Sequence, residues 1–358
     1  MRKYYTRACN FYYGKIAEKL VLNKEALPLN SRQNIAFDQI EIIQRKSNKI
    51  SKSSFFSIKE IGKLDSYILP EIERDIKNII SKRTSILGLK FDTPQIMGAL
   101  NITPDSFSDG GLFFEETKAY EQAKLMVDSG ATILDIGGES TRPGSTTVDE
   151  KEEWLRIKNT IIKFKKNYTN VPLSLDTRKP YVMSNGIQNG VDIINDVSGL
   201  NFDYKSFDLI NSKKVPFVLH HMQGTPNTMQ NNPTYDDVLL DIFDFFEKKI
   251  KFCLKNNFRK ELIILDPGLG FGKNLDHNLR LMSKISIFHS LGCPILIGTS
   301  RKRFIEHIVT KFDTPDRTGG TLASVLYGLS QGVQLFRVHN VKEINQGILV
   351  FNKIINTN

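Results

Sequence analysis

Cysteine is scarce in this sequence, and the patterns that cysteine usually forms are missing. Cys9, Cys253 and Cys293 are the three cysteines among 358 residues, and they lie far apart without a CxxC pair or a Cys/His cluster. An odd number of widely spaced cysteines suggests neither a disulfide framework nor a zinc site. We therefore expect a protein of a reducing compartment, the cytoplasm.

Long apolar runs are missing as well. No apolar stretch approaches the ~20 residues that span a bilayer, and the N-terminus lacks the apolar core of a secretory signal. We therefore expect a soluble protein with no membrane partner. The first 17 residues are basic and contain no acidic residue, which leaves a transit peptide open as an alternative.

Acidic residues are few in the first quarter of the chain only. Residues 1–90 carry 18 Lys and Arg against 9 Asp and Glu, whereas the rest carries 31 against 30. The net charge of +10 therefore belongs almost entirely to the N-terminal segment. Because no motif combines basic residues with aromatic residues for stacking, the sequence argues against nucleic acid as a partner.

The chain divides into two regions. Residues 1–92 are rich in Lys, Asn and Ile, and we interpret them as an N-terminal extension of unknown role. Within it, Pro70 followed by isoleucines at helical spacing predicts a helix over about 70–82. Residues 93–358 form a second region, in which short apolar runs alternate with longer amphipathic ones.

Eight apolar runs of the second region have the composition of buried strands. They cover residues 95–102, 131–138, 171–177, 191–197, 215–221, 261–267, 293–299 and 333–339. Near-continuous apolar strands that alternate with helices predict parallel strands joined by right-handed crossovers. Eight such units fit the α/β class, as a (β/α)8 TIM barrel with an N-terminal extension, better than an open doubly wound sheet.

Polar residues recur at the C-terminal ends of these strands. In chain order they are Asn101, Asp135 with Glu139, Asp176, Asn195, His220 with His221, Asp266, Ser300 to Lys302, and Arg337 with His339. Each one alone could serve as a strand or helix cap. Because the C-terminal strand ends of such a barrel converge on one mouth, the set as a whole predicts an active site there.

The residue types indicate two kinds of ligand group. Asp176, Asn195 and Asp266 offer acceptors and an amide that suit a flat heterocycle with a row of N–H donors. Lys302 could neutralise one carboxylate or donate to the ring, and a purely structural ion pair is the alternative. The loops after the seventh and eighth strands are the usual phosphate site of these barrels, and they carry Arg337 and His339.

A larger anion, such as a diphosphate, would use several groups at once. "STRPG" after the second strand adds Thr141 and Arg142. Asn101, a neutral oxygen ligand, could share Mg²⁺ with that diphosphate, because magnesium bound with phosphates takes few protein ligands. Two other patterns do not indicate a ligand. "DPGLGFG" lacks the acidic residue that follows a dinucleotide motif. His220 and His221 do not form a metal site easily, because adjacent histidines on a strand point to opposite faces.

Together these motifs resemble the dihydropteroate synthase family of folate biosynthesis. The stretches that carry the resemblance occur in the family's order: "GALNITPDSFSDGG", "ILDIGGESTRPG", "SLDTRKP", "INDVSGL", "HMQGTPNTMQ", "LDPGLGFGK", "GTSRKRF" and "RVH". They cover about residues 95–356, three quarters of the chain. The resemblance implies a pterin-binding barrel that joins 4-aminobenzoate to 6-hydroxymethyl-7,8-dihydropterin diphosphate and releases diphosphate.

The resemblance also implies roles for single residues. Asp176, Asn195, Asp266, Lys302 and Arg337 would bind the pterin, and Asn101, Thr141, Arg142, Arg337 and His339 would bind the diphosphate, with Mg²⁺ at Asn101. Phe107, Ser108, Pro143, Phe271 and Arg303 would shape the 4-aminobenzoate pocket. Asp109, Lys302 and Arg142 would take part in catalysis, and the family suggests a homodimer.

The implied mechanism is dissociative. Diphosphate leaves first, the pterin spreads the resulting positive charge, Asp109 faces the cationic methylene, and the weakly basic arylamine attacks. The sequence departs from the family at Asn340, where an acid is common after "RVH", so we expect a weaker hold on the orientation of His339.

Two alternatives stay open. A barrel that transfers a methyl group from methyltetrahydrofolate would share the Asp and Asn clamp but would have less use for an anion cage. A non-catalytic pterin-binding paralogue would share the fold, and the presence of all the catalytic residue types argues against it.

Overall fold

The computed structural model describes residues 2–46, 51–103, 111–140, 145–309 and 316–357, and for residues 111–115 it describes the backbone only. Its chain forms a small N-terminal antiparallel sheet and a large parallel barrel. Every helix within these described ranges is too short or too polar to span a bilayer.

The N-terminal sheet has four strands. They are β1 (Tyr4–Tyr13), β2 (Leu27–Leu29), β3 (Arg32–Arg45) and β4 (Ser51–Ser57), and β3 pairs antiparallel with each of the others. Helix α1 (Gly14–Leu22) follows β1, and helix α2 (Leu69–Ile80) packs Ile72, Ile76 and Ile79 against the sheet. The predicted helix over about 70–82 is thus confirmed as α2.

The strands of this sheet were not predicted, and the reason is visible in β3. Glu41 interrupts its apolar run, yet the side chain is fully buried. Arg7 on β1 donates to it over 2.6 Å, and Lys284 of the barrel region contacts the same carboxylate. A buried charge is tolerated when it is paired, and its partners lie too far along the chain to be recognised from a local pattern.

All eight predicted barrel strands are present. They are β5 (Gln95–Asn101), β6 (Ile133–Gly137), β7 (Leu173–Asp176), β8 (Ile193–Asp196), β9 (Phe217–His220), β10 (Ile263–Asp266), β11 (Leu296–Ile297) and β12 (Leu335–Val338). All are parallel in the order β10-β9-β8-β7-β6-β5-β12-β11. A parallel bridge between Leu265 and Ile295 joins the two ends, so the barrel is closed and the predicted (β/α)8 fold is confirmed.

Helices lie between the strands, as the amphipathic patterns predicted. They are α3 (Gly111–Asp128), α4 (Glu150–Asn167), α5 (Pro180–Gln188), α6 (Tyr204–Lys213), α7 (Val238–Lys255), α8 (Leu275–Ser283), α9 (Arg303–Val309), α10 (Thr318–Ser330) and α11 (Val341–Ile355). Their starts follow ordinary capping chemistry. Asp237, for example, accepts from the N–H groups of Leu239 and Leu240 at the start of α7.

The barrel interior separates an apolar floor from a polar mouth. One inward-facing residue from each of seven strands forms a buried cluster: Met97, Ile133, Ile193, Val218, Ile264, Leu296 and Leu335. Ile86, Leu89 and Phe91, which precede β5, belong to the same cluster and close the floor. At the opposite end of the barrel, beyond these residues, the polar strand ends line the interior. The division of the chain into domains at residue 92 stays a prediction.

Charged contacts join the N-terminal sheet to the barrel. Arg45 donates to Asp241 over 2.8 Å and to Asp244 over 3.0 Å, both on α7. The hydroxyl of Tyr5 donates to Asp244 over 2.8 Å. The N-terminal sheet therefore packs on the flank of the barrel, beside α7.

Candidate active site

The polar strand ends meet at the barrel mouth, where Asp135 lies at the centre of a hydrogen-bonded group. Asp135 Oδ2 accepts from Asn195 Nδ2 over 3.0 Å and from Arg337 Nε over 2.6 Å. Arg337 Nη2 also donates to Asp176 Oδ2 over 2.8 Å. The structure thus brings together Asp176, Asn195 and Arg337, three of the residues predicted to bind the pterin.

Asp135 was named among the polar strand ends, but the sequence assigned it no particular ligand. It pairs in register with Ser174 of β7, whereas Asp176 pairs with Gly137 two residues further along β6. Asp135 therefore lies one layer deeper in the barrel than Asp176, beneath the mouth. Its place in a strand otherwise made of apolar residues and glycine was the available signal.

Three oxygen atoms of this group stay unpaired. Asp135 Oδ1, Asp176 Oδ1 and Asn195 Oδ1 are buried and have no hydrogen-bond partner among the described residues. An unsatisfied buried acceptor costs about 1–3 kcal/mol, so such groups are rare unless a ligand completes them. The mouth therefore presents a set of acceptors to a ligand that carries several N–H donors.

Burial changes the protonation of the titratable residues in the mouth. Desolvation raises the pKa of Asp176 to about 7, although the nearby Arg337 opposes the shift. Desolvation likewise raises the pKa of Asp266 to about 6, against the effect of the Gly268 N–H that donates to its Oδ1 over 2.8 Å. Burial and the charge of Arg337 lower the pKa of Lys302 to about 8.

Lys302 lies against the loop that follows β10. Its Nζ is 4.0 Å from the centre of the Phe271 ring, a distance typical of a cation–π contact. Its aliphatic stem passes over Gly270, where an added Cβ would lie 3.1 Å from the Lys302 Cδ. Gly270 also has φ +82°, so two independent reasons favour glycine there. Asp266, at the end of β10, begins this same loop.

The predicted anion side of the mouth is formed by the ends of β5 and β12. Asn101 Nδ2 lies 3.4 Å from His339 Nε2. Ser300 Oγ accepts from the His339 N–H over 3.2 Å and lies 3.0 Å from His339 Nδ1. Ser300 thus orients the imidazole, while the side chain of Asn340 accepts from Arg301 over 3.1 Å. The sequence did not indicate the Ser300 contact, and the weaker hold on His339 expected from Asn340 stays a prediction.

The remaining predicted residues divide into two sets. Arg303 is the first residue of α9 and has an exposed side chain, immediately after Lys302. The others lie outside the described residues: Phe107, Ser108, Asp109, Thr141, Arg142 and Pro143. In the sequence these six residues follow β5 and β6.

A buried lysine completes the loops around the mouth. Lys273 is 3 % exposed and contacts His221 and the carbonyl of Phe271. His220, the neighbour of His221, instead contacts the Val197 carbonyl over 3.0 Å. The two rings thus have different partners, as expected for adjacent strand residues, and no group of three potential metal ligands occurs among the described residues.

Comparison with known proteins shows which family this chain is similar to. A sequence profile of pterin binding enzymes matches residues 97–339. The dihydropteroate synthase of Escherichia coli is 40 % identical over 263 residues, which are 74 % of this chain and 92 % of that protein.

Two solved structures extend the comparison to the fold. A dihydropteroate synthase from Yersinia pestis, solved with a sulfonamide drug complex, superposes with a TM-score of 0.71 at 38 % identity, covering 76 % of this chain and 98 % of that one. A dihydropteroate synthase from Xanthomonas albilineans, in complex with 7,8-dihydropteroate, has a TM-score of 0.67 at 34 % identity, covering 74 % and 95 %.

Proposed function

The chain belongs to the dihydropteroate synthase family of pterin-binding enzymes, and from this premise we propose how its own residues carry out the transfer of a pterinylmethyl group. The reaction joins 4-aminobenzoate to 6-hydroxymethyl-7,8-dihydropterin diphosphate. The bond between the methylene carbon and the diphosphate oxygen breaks, a bond to the arylamine nitrogen forms, and the nitrogen loses a proton. The products are 7,8-dihydropteroate, diphosphate and H⁺.

The unpaired acceptors of the mouth are the observation that best supports pterin binding. One edge of a dihydropterin carries ring and exocyclic N–H donors. The oxygens of Asp176, Asn195 and Asp266 would accept hydrogen bonds from these donors. Such paired bonds to a buried carboxylate are strong and specific. Arg337 would lie against the ring while Asp135 holds its guanidinium, and Lys302 would donate to a ring acceptor.

The diphosphate would bind beside this clamp. Asn101 and His339 adjoin one another at the strand ends, and Thr141, Arg142 and Arg337 would add donors and positive charge. The donor set at Asn101 fits Mg²⁺ shared with the diphosphate, because Nδ2 faces His339 and leaves the amide oxygen as a ligand. When bound, Mg²⁺ supplies neutralisation of charge on the leaving diphosphate.

Catalysis would then rest on electrostatics. As the diphosphate departs, positive charge develops on the methylene and spreads into the pterin, where the carboxylates of Asp176 and Asp266 face it. Fixed charges in a site partly shielded from water stabilise such a transition state strongly. Asp109 would face the methylene from the loop after β5, with Lys302 and Arg142 also contributing. A free arylamine is already a nucleophile, so no strong base is required.

The 4-aminobenzoate would enter at the outer rim. Phe271 presents its ring beside Lys302, and Arg303 at the start of α9 offers a cation for the carboxylate of the substrate. Phe107, Ser108 and Pro143 would complete this pocket. We further propose that the protein works in the cytoplasm and that it forms a homodimer. Light scattering of the purified chain would test the homodimer.

Diphosphate release measures the proposed reaction directly. The purified chain would be mixed with the pterin diphosphate, 4-aminobenzoate and Mg²⁺, and release would be followed with time. We expect release that requires both organic substrates. Release that is absent, or that does not depend on 4-aminobenzoate, would contradict the proposal.

A further inference from the structure

Lys273 is a lysine buried without a carboxylate in hydrogen-bonding contact among the described residues. Its Nζ lies 3.0 Å from His221 Nδ1, 3.3 Å from the His221 carbonyl oxygen and 2.9 Å from the Phe271 carbonyl oxygen. Such burial of an amine is costly unless each donor finds an acceptor. The three contacts therefore indicate that the position requires a side chain with several donors.

The partners of Lys273 belong to two different loops. His221 begins the loop between β9 and α7, and Phe271 lies in the loop between β10 and α8. Further bonds join the same two loops, because Tyr235 donates to the Gly272 carbonyl over 2.7 Å and Gln230 donates to the Gly270 carbonyl over 2.8 Å. We call this set of contacts the loop seam.

Phe271 joins the loop seam through its backbone and contacts other residues through its ring. The backbone carbonyl of Phe271 is held by Lys273, while the ring meets His220 edge-on with centres 4.5 Å apart and carries Lys302 Nζ at 4.0 Å. The loop also fits tightly, since a Cβ on Gly268 would lie 1.9 Å from the His221 carbonyl oxygen. A change in the seam would therefore move Phe271 in particular.

We propose that Lys273 is a positioning residue for recognition of the arylamine substrate, acting through Phe271. The inference rests on the proposed function, in which Phe271 lines the 4-aminobenzoate pocket. Lys273 itself does not touch the substrate. It ties the two loops together so that the Phe271 ring keeps one place beside Lys302.

The chemistry of the three contacts suits either protonation state of the amine. A charged ammonium donates three times, to two carbonyl oxygens and an imidazole nitrogen. A neutral amine donates to the two carbonyls and accepts from the imidazole, whose Nδ1 carries the hydrogen in one tautomer. Burial lowers the pKa of Lys273 well below its ordinary value. Because the His221 ring can either accept from the amine or donate to it, loss of the proton keeps the three contacts of the loop seam.

Part of the proposed pterin site is anchored away from the loop seam. Asp176 and Asn195 lie on β7 and β8, and they are held by Arg337 and Asp135. Loss of the Lys273 donors would consequently affect the two substrates unequally, with the larger effect on the arylamine.

The test is the Lys273→Met variant, which keeps an unbranched side chain one atom shorter and removes its donors. We expect the KM for 4-aminobenzoate to rise about tenfold, and the KM for the pterin diphosphate to change less than about threefold. Lys158→Met makes the same chemical change on the exposed face of α4 and should leave both constants as in the wild type. An unchanged KM for 4-aminobenzoate, or an equal rise in both constants, would overturn the proposal.

A double-mutant cycle separates positioning from general damage. In a Phe271→Ala background, the Lys273→Met change should alter the 4-aminobenzoate KM less than twofold. The reason is that Lys273 is proposed to act through the Phe271 ring, which this background lacks. A full tenfold effect in that background would refute action through Phe271. Failure of the wild-type chain to consume 4-aminobenzoate would instead refute the proposed function.

A milder variant covers the case in which Lys273→Met does not fold. Tyr235→Phe removes one hydroxyl from the loop seam and leaves its ring in place. We expect a rise of about twofold to threefold in the KM for 4-aminobenzoate, with the melting temperature within a few degrees of the wild type. A wild-type KM in this folded variant would argue against the loop seam as the positioning element.

Discussion

Arg337 Nη2 and Asp176 Oδ2 lie 2.8 Å apart, and this ion pair occupies one oxygen of the carboxylate while Oδ1 stays buried and unpaired. The arrangement divides the two oxygens between the protein and a ligand. Arg337 fixes the orientation of the carboxylate, and Oδ1 is left to accept from a bound heterocycle. Five predictions follow from this contact, from the rest of the fold and from the proposed function.

Replacing Asp266 by Ala should abolish measurable binding of the pterin. The side chain is 5 % exposed, so its loss leaves ligand N–H groups without acceptors in a dry site. We expect affinity to fall at least about 100-fold, which is about 2.7 kcal/mol. Calorimetric titration with the dihydropterin diphosphate checks this, with Asp276→Ala on the exposed start of α8 as control. Unchanged affinity would remove Asp266 from the clamp.

Replacing Asp135 by Asn should weaken pterin binding without abolishing folding. The amide keeps the shape of the side chain but loses the charge that holds Arg337 Nε and Asn195 Nδ2. We expect a loss of about 10-fold to 100-fold in affinity, since charge-assisted bonds are worth about 1.5–3 kcal/mol. Binding of the pterin diphosphate to Asp135→Asn and to the exposed-site control Asp208→Asn would be compared. Equal affinities would mean that Asp135 does not help Arg337 and Asn195 to bind the pterin.

The stability of the ligand-free protein should depend on pH through Asp176. An unfolded Asp has a pKa near 3.9, whereas burial raises the pKa in the folded state to about 7. Between about pH 4 and 7 the folded state thus binds more protons, so this group's contribution falls as pH rises through that window.

The Asp176→Asn variant isolates this contribution. Asn resembles the protonated carboxyl, so the variant should gain stability relative to the wild type as pH is raised from 5 to 8. The gain should be about 1 kcal/mol or more. Denaturant unfolding at both pH values measures it. A stability difference that is the same at pH 5 and pH 8 would contradict the raised pKa.

Replacing Asp109 by Ala should slow turnover far more than it weakens pterin binding. The proposed role of its carboxylate is to face a charge that exists only as the diphosphate leaves, and interactions of that kind lower kcat selectively. Single-turnover rates and pterin affinity would be measured on the same preparation. Equal losses in both would assign Asp109 to ground-state binding.

Two truncations should differ in stability. Removal of residues 1–82 deletes the N-terminal sheet but keeps Ile86, Leu89 and Phe91, which close the barrel floor. Removal of residues 1–91 deletes these as well and opens an apolar cluster to water, which costs about 25 cal/mol per Å² exposed. We expect the longer deletion to melt at a clearly lower temperature or to be insoluble. Equal melting temperatures would show that the floor does not depend on this segment.

The barrel could be predicted from the sequence because its information is local. Eight apolar runs alternate with amphipathic ones, and burial of strands between helices forces that pattern directly. The strand ends were equally accessible, since Asn101, Asp176, Asn195 and Asp266 close apolar runs at equivalent places. The family motifs then assigned chemistry to these positions.

The N-terminal sheet and the deeper contacts could not be predicted in this way. Glu41 is a strand residue because Arg7 and Lys284 neutralise it, and Lys273 is buried because His221 and Phe271 accept from it. Each of these partners is distant in the chain or depends on the geometry of a loop. The sequence by itself determined the barrel, its family and the residues at its mouth. Tertiary structure alone decided which of those residues bind one another, because hydrogen bonds and ion pairs depend on distances that only the closed barrel establishes.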